Sequence, residues 1–124
     1  MASQGLIDIV RGDRLRMRRV VTNVPPGILI TKAWLTVKYN LADPDPGVFQ
    51  KEVTAAEQPD VGRITDPGAD GTAVIDFVLT EADTLSLDAS SSYWYDIQVR
   101  TSQGDLITLE HGRVTVTEQV TQSS

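Results

Sequence analysis

Cysteine is absent from this sequence of 124 residues. Disulfide bridges, thiolate metal sites and cysteine nucleophiles are therefore excluded. The one histidine, His111, falls in a predicted hairpin turn, where Ser102 and Thr108 are ordinary hairpin residues and not activated nucleophiles. The glycines never cluster ahead of a helix, so no phosphate loop is present. We predict no catalytic residue, no metal site and no cofactor. A small hydrolase that uses His111 is an alternative, which loss of activity in His111→Ala would reveal.

Long apolar runs are also missing. No run approaches the roughly 18 residues of a membrane-spanning helix, and residues 1–5 lack the basic and apolar regions of a secretion signal. We therefore expect a soluble protein that is made in a cytoplasm and has no membrane partner. The length predicts one domain over residues 1–124 with a core of its own, in which residues 1–4 and 119–124 are flexible tails.

The net charge of −6 is unevenly distributed along the chain. Residues 1–20 hold five arginines and two aspartates, whereas the remainder holds fifteen acidic and six basic residues. The two regions should attract each other. Because nucleic-acid binding depends on a broad positive surface, the acidic remainder argues against nucleic acid as the main partner.

Alternation of apolar and polar residues is the strongest pattern that is present. Between residues 92 and 117 it predicts two or three antiparallel strands, with turns at 101–105 and 110–112. Further strands are predicted at residues 6–10, 14–21, 28–40, 48–55, 62–65 and 72–79, with the 48–55 segment at a sheet edge. Thr80 as N-cap with Asp83 at the third helical position predicts a single helical turn. The predicted fold class is all-β, a single antiparallel β-sandwich, Ig-like or jelly-roll-like, with one short helical turn.

Two tryptophans and a row of arginines are the candidate interface residues. Trp34 and Trp94 each fall on the polar face of a predicted strand. They are either covered by a loop or a lysine stem, or available as anchors for a neighbouring protein. Arg14, Arg16 and Arg18 line one face of the 14–21 strand, as a solvated face matched to the acidic remainder or as a docking surface for an acidic partner. We predict that these five side chains form one outer protein-interface surface.

Several segments of the sequence resemble a known group of proteins. LTEADT at 79–84, YWYDIQ at 93–98 and GRVTV at 112–116 resemble the closing pattern of small β-sandwich proteins of tailed bacteriophages. The leading RGD at 11–13 and the central strand 33–39 are similar to those of the N-terminal domains of phage baseplate proteins. The resemblance covers most of the chain and implies a virion part without enzymatic activity. Baseplate proteins continue into a coiled coil or receptor-binding region where this sequence stops, so capsid decoration and tail or neck accessory roles stay open.

From this resemblance we predict a non-enzymatic virion structural protein that is assembled in the host cytoplasm. It would form homo-oligomers and bind other virion proteins through symmetric contacts. The alternative is a stand-alone carbohydrate- or receptor-binding β-sandwich module that uses Trp34 and Trp94 as stacking platforms.

Overall fold

A computed structural model of the protein describes residues 3–40, 42–45 and 47–118, which hold eight strands and one short helix. In chain order these are β1 (Ser3–Val10), β2 (Leu15–Val21), β3 (Ile30–Lys38), β4 (Phe49–Val53), β5 (Gly62–Pro67), β6 (Ala73–Leu79), α1 (Glu81–Leu85), β7 (Tyr93–Thr101) and β8 (Leu106–Thr117). α1 has five residues, and across the described ranges no helix is long and apolar enough to span a membrane.

The strands form two sheets that pack face to face. The large sheet has the order β1-β8-β7-β3-β4, and the small sheet has the order β2-β6-β5. Neighbouring strands are antiparallel except β1 and β8, which run parallel. The predicted all-β sandwich with one short helical turn is confirmed. The order also decides between the two sandwich types, because β2, β5 and β6 share one sheet while β3, β7 and β8 share the other, as in Ig-like domains.

The core lies between the sheets and is built from the inward-facing positions of the strands. Because successive side chains of a strand point to opposite faces, every second residue of β7 is buried, as the alternation predicted. The largest fully buried side chains include Leu35, Phe77, Tyr93 and Tyr95. Tyr93 also accepts a hydrogen bond of 2.7 Å from the backbone N–H of Asp88, which anchors the chain between α1 and β7.

β8 is one continuous strand, where the sequence analysis predicted two strands separated by a turn at 110–112. Gly112 is not a turn residue but a point of close approach, because a Cβ atom there would lie 1.9 Å from the carbonyl oxygen of Gly5 in β1. The register between β7 and β8 shifts between Ile97 and Gln98, as at a β-bulge. His111 therefore lies within a strand, and the expected hairpin turn at this position is wrong.

β1 begins earlier than the sequence pattern indicated. Ser3 and Gln4, which were expected in a flexible tail, instead begin β1 and pair with Glu110 and His111 of β8. The partner strand is about a hundred residues away, so the local alternation at residues 6–10 could not show it. The predicted C-terminal tail, residues 119–124, lies outside the described residues.

A polar cluster, which we call the β2–β8 clamp, joins the two sheets at one lateral edge. It consists of Arg19, Tyr95 and Glu110. Arg19 donates through Nε and Nη2 to the two carboxylate oxygens of Glu110, at 3.0 and 3.2 Å. The Tyr95 hydroxyl donates to Oε2 of the same carboxylate. Burial raises the pKa of Tyr95 to about 12, and the hydrogen bond to Glu110 acts in the same direction.

A second cluster, the β4–α1 clamp, consists of Lys51, Thr80 and Asp83 and joins the large sheet to α1 at the opposite lateral edge. Lys51 of β4 forms an ion pair with Asp83 of α1, and its Nζ also donates to the carbonyl of Asp60 at 3.2 Å. The backbone N–H of Thr80 donates to Asp83 at 2.8 Å, while the Thr80 hydroxyl accepts from the backbone N–H of Asp83, which confirms the predicted helix start. Burial opposes ionisation of Asp83, but the hydrogen bonds from Lys51 and Thr80 hold its pKa below the ordinary value.

Candidate interaction surfaces

The five predicted interface residues lie on two opposite faces of the sandwich. Trp34 in β3 and Trp94 in β7 lie on the outer face of the large sheet, which we call the tryptophan face. Arg16 and Arg18 in β2, with Arg14 just before that strand, lie at the outer face of the small sheet, the arginine face. Because the sheets pack through their inner faces, one flat partner surface cannot contact both groups. The five residues therefore do not form one continuous surface, and their contact with partners stays a prediction for each face separately.

On the tryptophan face each indole ring has an arginine above it. The guanidinium carbon of Arg113 lies 4.6 Å from the ring centre of Trp94, and that of Arg100 lies 5.8 Å from the ring centre of Trp34. Both distances are within the range of cation–π attraction. Both tryptophans are half-buried, so their rings are held in place without being enclosed. Arg100 and Arg113 could not be recognised from the sequence, because their contact with the tryptophans depends on strand register.

Between the tryptophans the tryptophan face has a polar and unusually buried centre. Thr36 is 1% exposed and Lys38 is 7% exposed, although both point away from the core. The Gln50 amide donates to the Thr36 hydroxyl at 3.0 Å, and Lys38 pairs with Asp45 at 3.1 Å. The polar face on which Trp34 was predicted is thus not fully solvated, because the loop before β4 covers Lys38.

Asp96 and His111 are cross-strand neighbours on the same face. Burial raises the pKa of Asp96 above its ordinary value, while the charges of Lys38 and Asp45 act in opposite directions. The Nδ1 atom of His111 is buried and has no hydrogen-bond partner among the described residues. The described ranges contain no group of three or more acidic or histidine side chains placed to hold a metal ion.

On the arginine face, Arg14 and Arg18 are already engaged by the chain itself. Arg14 donates to the carbonyl of Pro59 at 2.8 Å and pairs with Asp60 at 3.1 Å. Arg18 makes a forked contact with Asp76, at 2.8 and 3.2 Å. The hydrogen bond from Arg18 holds the pKa of Asp76 below its ordinary value against a partial burial, and a hydrogen bond from Thr65 adds to the effect. These contacts match the attraction between the basic and acidic regions that the charge distribution predicted.

The arginine face also carries a groove of about 310 Å³ between β2, β6 and the segment before β5. Arg16, Arg18 and Arg63 line it, together with Asp76 and Glu57. The Nε atom of Arg63 is buried and has no hydrogen-bond acceptor within the described part of the chain. An unpaired buried donor costs about 1–3 kcal/mol. Arg63 was not predicted as a site residue, although its place beside the apolar Ile64 indicates an outward-facing side chain.

Comparison with known proteins finds no matching family model and no match among curated proteins. Solved structures do match. One comes from a study of multimeric cell-adhesive interactions of voltage-gated sodium channel β subunits, at 11% identity and a TM-score of 0.43, covering 95% of this chain and 93% of that one. Another is an extracellular domain of the β4 subunit, described as a parallel homodimer, at 13% identity and a TM-score of 0.38, covering 97% and 96%. At these values the likeness carries no functional argument from the channel subunits to this chain.

The predicted function as a virion structural protein is wrong. The similar solved structures named above are channel-subunit domains and not phage proteins. The residues that carried the resemblance have tasks within the sandwich itself: Tyr93 anchors the chain at Asp88, Tyr95 joins the β2–β8 clamp, and Gly112 admits the backbone of Gly5. These residues therefore serve the fold of the chain and do not specify a virion role.

Proposed function

We propose that this chain is a non-enzymatic binding module that recognises a protein partner, a second copy of itself, through the tryptophan face. The observation that carries the proposal is the pair of half-buried tryptophans, each held under an arginine across one sheet face. Tryptophan and arginine are the residues that most often dominate binding energy at protein interfaces. Because these side chains are already ordered, less conformational entropy is lost when a partner binds.

The arginines also favour a protein over a carbohydrate as the partner. A sugar stacks on a bare aromatic ring, and here Arg100 and Arg113 occupy ring faces of Trp34 and Trp94. A sugar that used those faces would have to displace both guanidinium groups. Catalysis is not favoured either, because His111 lies in β8 and its Nδ1 contacts no serine or threonine hydroxyl.

The distribution of charge across the tryptophan face suits a second copy. Glu52 and Asp45 lie on the β4 side, where they pair with Lys32 and Lys38 of β3. Arg100 and Arg113 lie on the β7–β8 side and form no ion pair with any described residue. Two copies related by a twofold axis along the strands would place the acidic side of each opposite the arginine side of the other. Four strands of about eight residues give a face of ~500 Å² in plan, which favours a weak, micromolar dimer.

Sedimentation-velocity runs from about 1 µM to 500 µM, a range chosen around that micromolar expectation, would test this proposal. We expect the wild-type chain to dimerise, and we expect Trp34→Ala with Trp94→Ala to weaken the dimer at least tenfold. Val20→Ala removes an exposed apolar side chain from the opposite face, so it is the matched control and should not change association. A wild-type chain that stays monomeric throughout, or a control that weakens association equally, would contradict the proposal.

A further inference from the structure

The arginine face contains positive charge that the chain leaves without an acidic partner. Arg14 has Asp60 and Arg18 has Asp76, but Arg16 and Arg63 form no ion pair with any described residue. Arg16 acts on Asp76 through its charge alone. The whole chain carries seventeen acidic residues against eleven basic ones. Although acidic residues outnumber basic ones in this chain, two arginines beside one cavity have no acidic partner among the described residues.

The strand register explains why Arg63 has no partner. Asp76 in β6 is the cross-strand neighbour of both Arg18 in β2 and Arg63 in β5. Its two carboxylate oxygens are taken by Arg18 and by the Thr65 hydroxyl. Arg63 is thus held beside a carboxylate that it does not engage, with its Nε buried and facing no acceptor.

We infer that the groove between Arg16, Arg18 and Arg63 is a binding site for a carboxylate, supplied by an acidic side chain of an extended peptide. A carboxylate placed there would accept from the terminal guanidinium nitrogens of Arg63, which are not buried as Nε is, and face the guanidinium of Arg16. Two planar donors would then meet a planar acceptor. The Arg18–Asp76 pair forms one wall and stays intact.

The size and charge of the groove select this ligand over larger or more highly charged anions. About 310 Å³ lies at the lower limit of ligand pockets and accommodates one or two side chains. Asp76 and the exposed Glu57 also line the groove. These two carboxylates penalise a phosphate dianion more than they penalise a single carboxylate. A neutral peptide offers only uncharged carbonyl acceptors, which bind guanidinium groups more weakly than a carboxylate does.

This site is independent of the proposed function, because it lies on the opposite face of the sandwich from Trp34 and Trp94. Binding in the groove leaves the tryptophan face unoccupied. Loss of dimerisation would therefore not remove the carboxylate site, and loss of the carboxylate site would leave dimerisation unchanged.

A hexaglutamate peptide, titrated into the ¹⁵N-labelled chain at low salt, tests the site by NMR. We expect the Nε–H signals of Arg63 and Arg16 to shift, with hexaglutamine causing no shift and inorganic phosphate competing only weakly. Arg63→Gln and Arg16→Gln should each weaken peptide binding about tenfold, as expected for loss of a charge-assisted contact. Arg14→Gln is the matched control from the same strand face and should change affinity less than twofold.

Thermal unfolding of each variant shows whether it is folded. Because Arg16 is exposed, we expect Arg16→Gln to stay folded. Its peptide affinity therefore tests the site even where Arg63→Gln is destabilised. The inference is overturned by hexaglutamate that does not bind, by phosphate that binds as tightly as the peptide, or by Arg16→Gln that binds like the wild type.

Discussion

The two lateral edges of the sandwich are each held together by a polar cluster, and the two clusters differ in their chemistry. Each edge joins the large sheet to the small one or to α1, and without cysteine neither can use a disulfide bridge. The β2–β8 clamp requires a protonated Tyr95, because the Tyr95 hydroxyl donates to Glu110. Burial raises the pKa of Tyr95 to about 12 and so keeps it protonated at neutral pH. The β4–α1 clamp requires an ionised Asp83, because Asp83 forms an ion pair with Lys51. The hydrogen bonds from Lys51 and Thr80 hold the pKa of Asp83 below its ordinary value. One edge should therefore fail in base and the other in acid.

The largest expected effect concerns the backbone beside the β2–β8 clamp. Gly112→Ala would place a methyl group within 1.9 Å of the Gly5 carbonyl oxygen, so β1 must move away from β8. We expect a loss of about 3 kcal/mol in the free energy of unfolding, measured by urea denaturation. Gly104→Ala is the control, because a Cβ atom there meets nothing within 4 Å and only its positive φ is strained. Equal losses in the two variants would contradict the close-approach explanation.

The next effect is alkaline loss of stability at the β2–β8 edge. A tyrosine in the unfolded chain ionises near pH 10, whereas Tyr95 in the folded protein has a pKa of about 12. Between these values the folded state holds a proton that the unfolded state has lost, so stability falls as the pH rises. Once Tyr95 is fully ionised in both states, the free energy of unfolding is lower by about 2–3 kcal/mol. Urea denaturation from pH 8 to pH 11.5 would show the decline, and Tyr95→Phe should make it shallower. An unchanged slope in that variant would assign the decline to other groups.

The smallest effect concerns the β4–α1 clamp in acid. The stability that Asp83 contributes is complete above the pKa of an unfolded aspartate and is lost as the pH falls through the lower folded value. Asp83→Asn removes the charge that faces Lys51, so we expect a loss of about 1.5 kcal/mol at pH 7 and a flatter acid limb between pH 5 and pH 2. Glu81→Gln changes an exposed carboxylate in the same helical turn and should cost less than about 0.5 kcal/mol. A larger loss from Glu81→Gln than from Asp83→Asn would contradict the assignment.

Local patterns predicted the parts of the fold that local physics determines. Alternation placed most strands within about two residues of their observed bounds, because a half-buried strand must alternate. Thr80 and Asp83 predicted the start of α1, because a capping box is made within four residues. The role of Gly112 could not be predicted, since a glycine that permits a turn and one that permits close approach by another strand look the same in the sequence.

Individual residues of the candidate surfaces could be predicted from the sequence, but their arrangement could not. Trp34, Trp94 and the β2 arginines were identified because each stands out on its own strand. Their division between two faces could not be predicted, because the sheet to which each strand belongs depends on long-range pairing. Arg63, Arg100 and Arg113 were missed because each acquires its role from a residue on another strand, such as Asp76 beside Arg63.

The parallel pairing of β1 and β8 determines how this domain would carry tension. Ser3 and Thr117 lie at opposite ends of a ladder that pairs eight residues of β1 with eight of β8. A force that separates these two ends would pull the two strands past each other along their length. The inter-strand hydrogen bonds would then resist together in shear, and they would not open one after another as they do when antiparallel terminal strands are peeled apart. The domain is thus arranged to resist a stretching force applied along its strands.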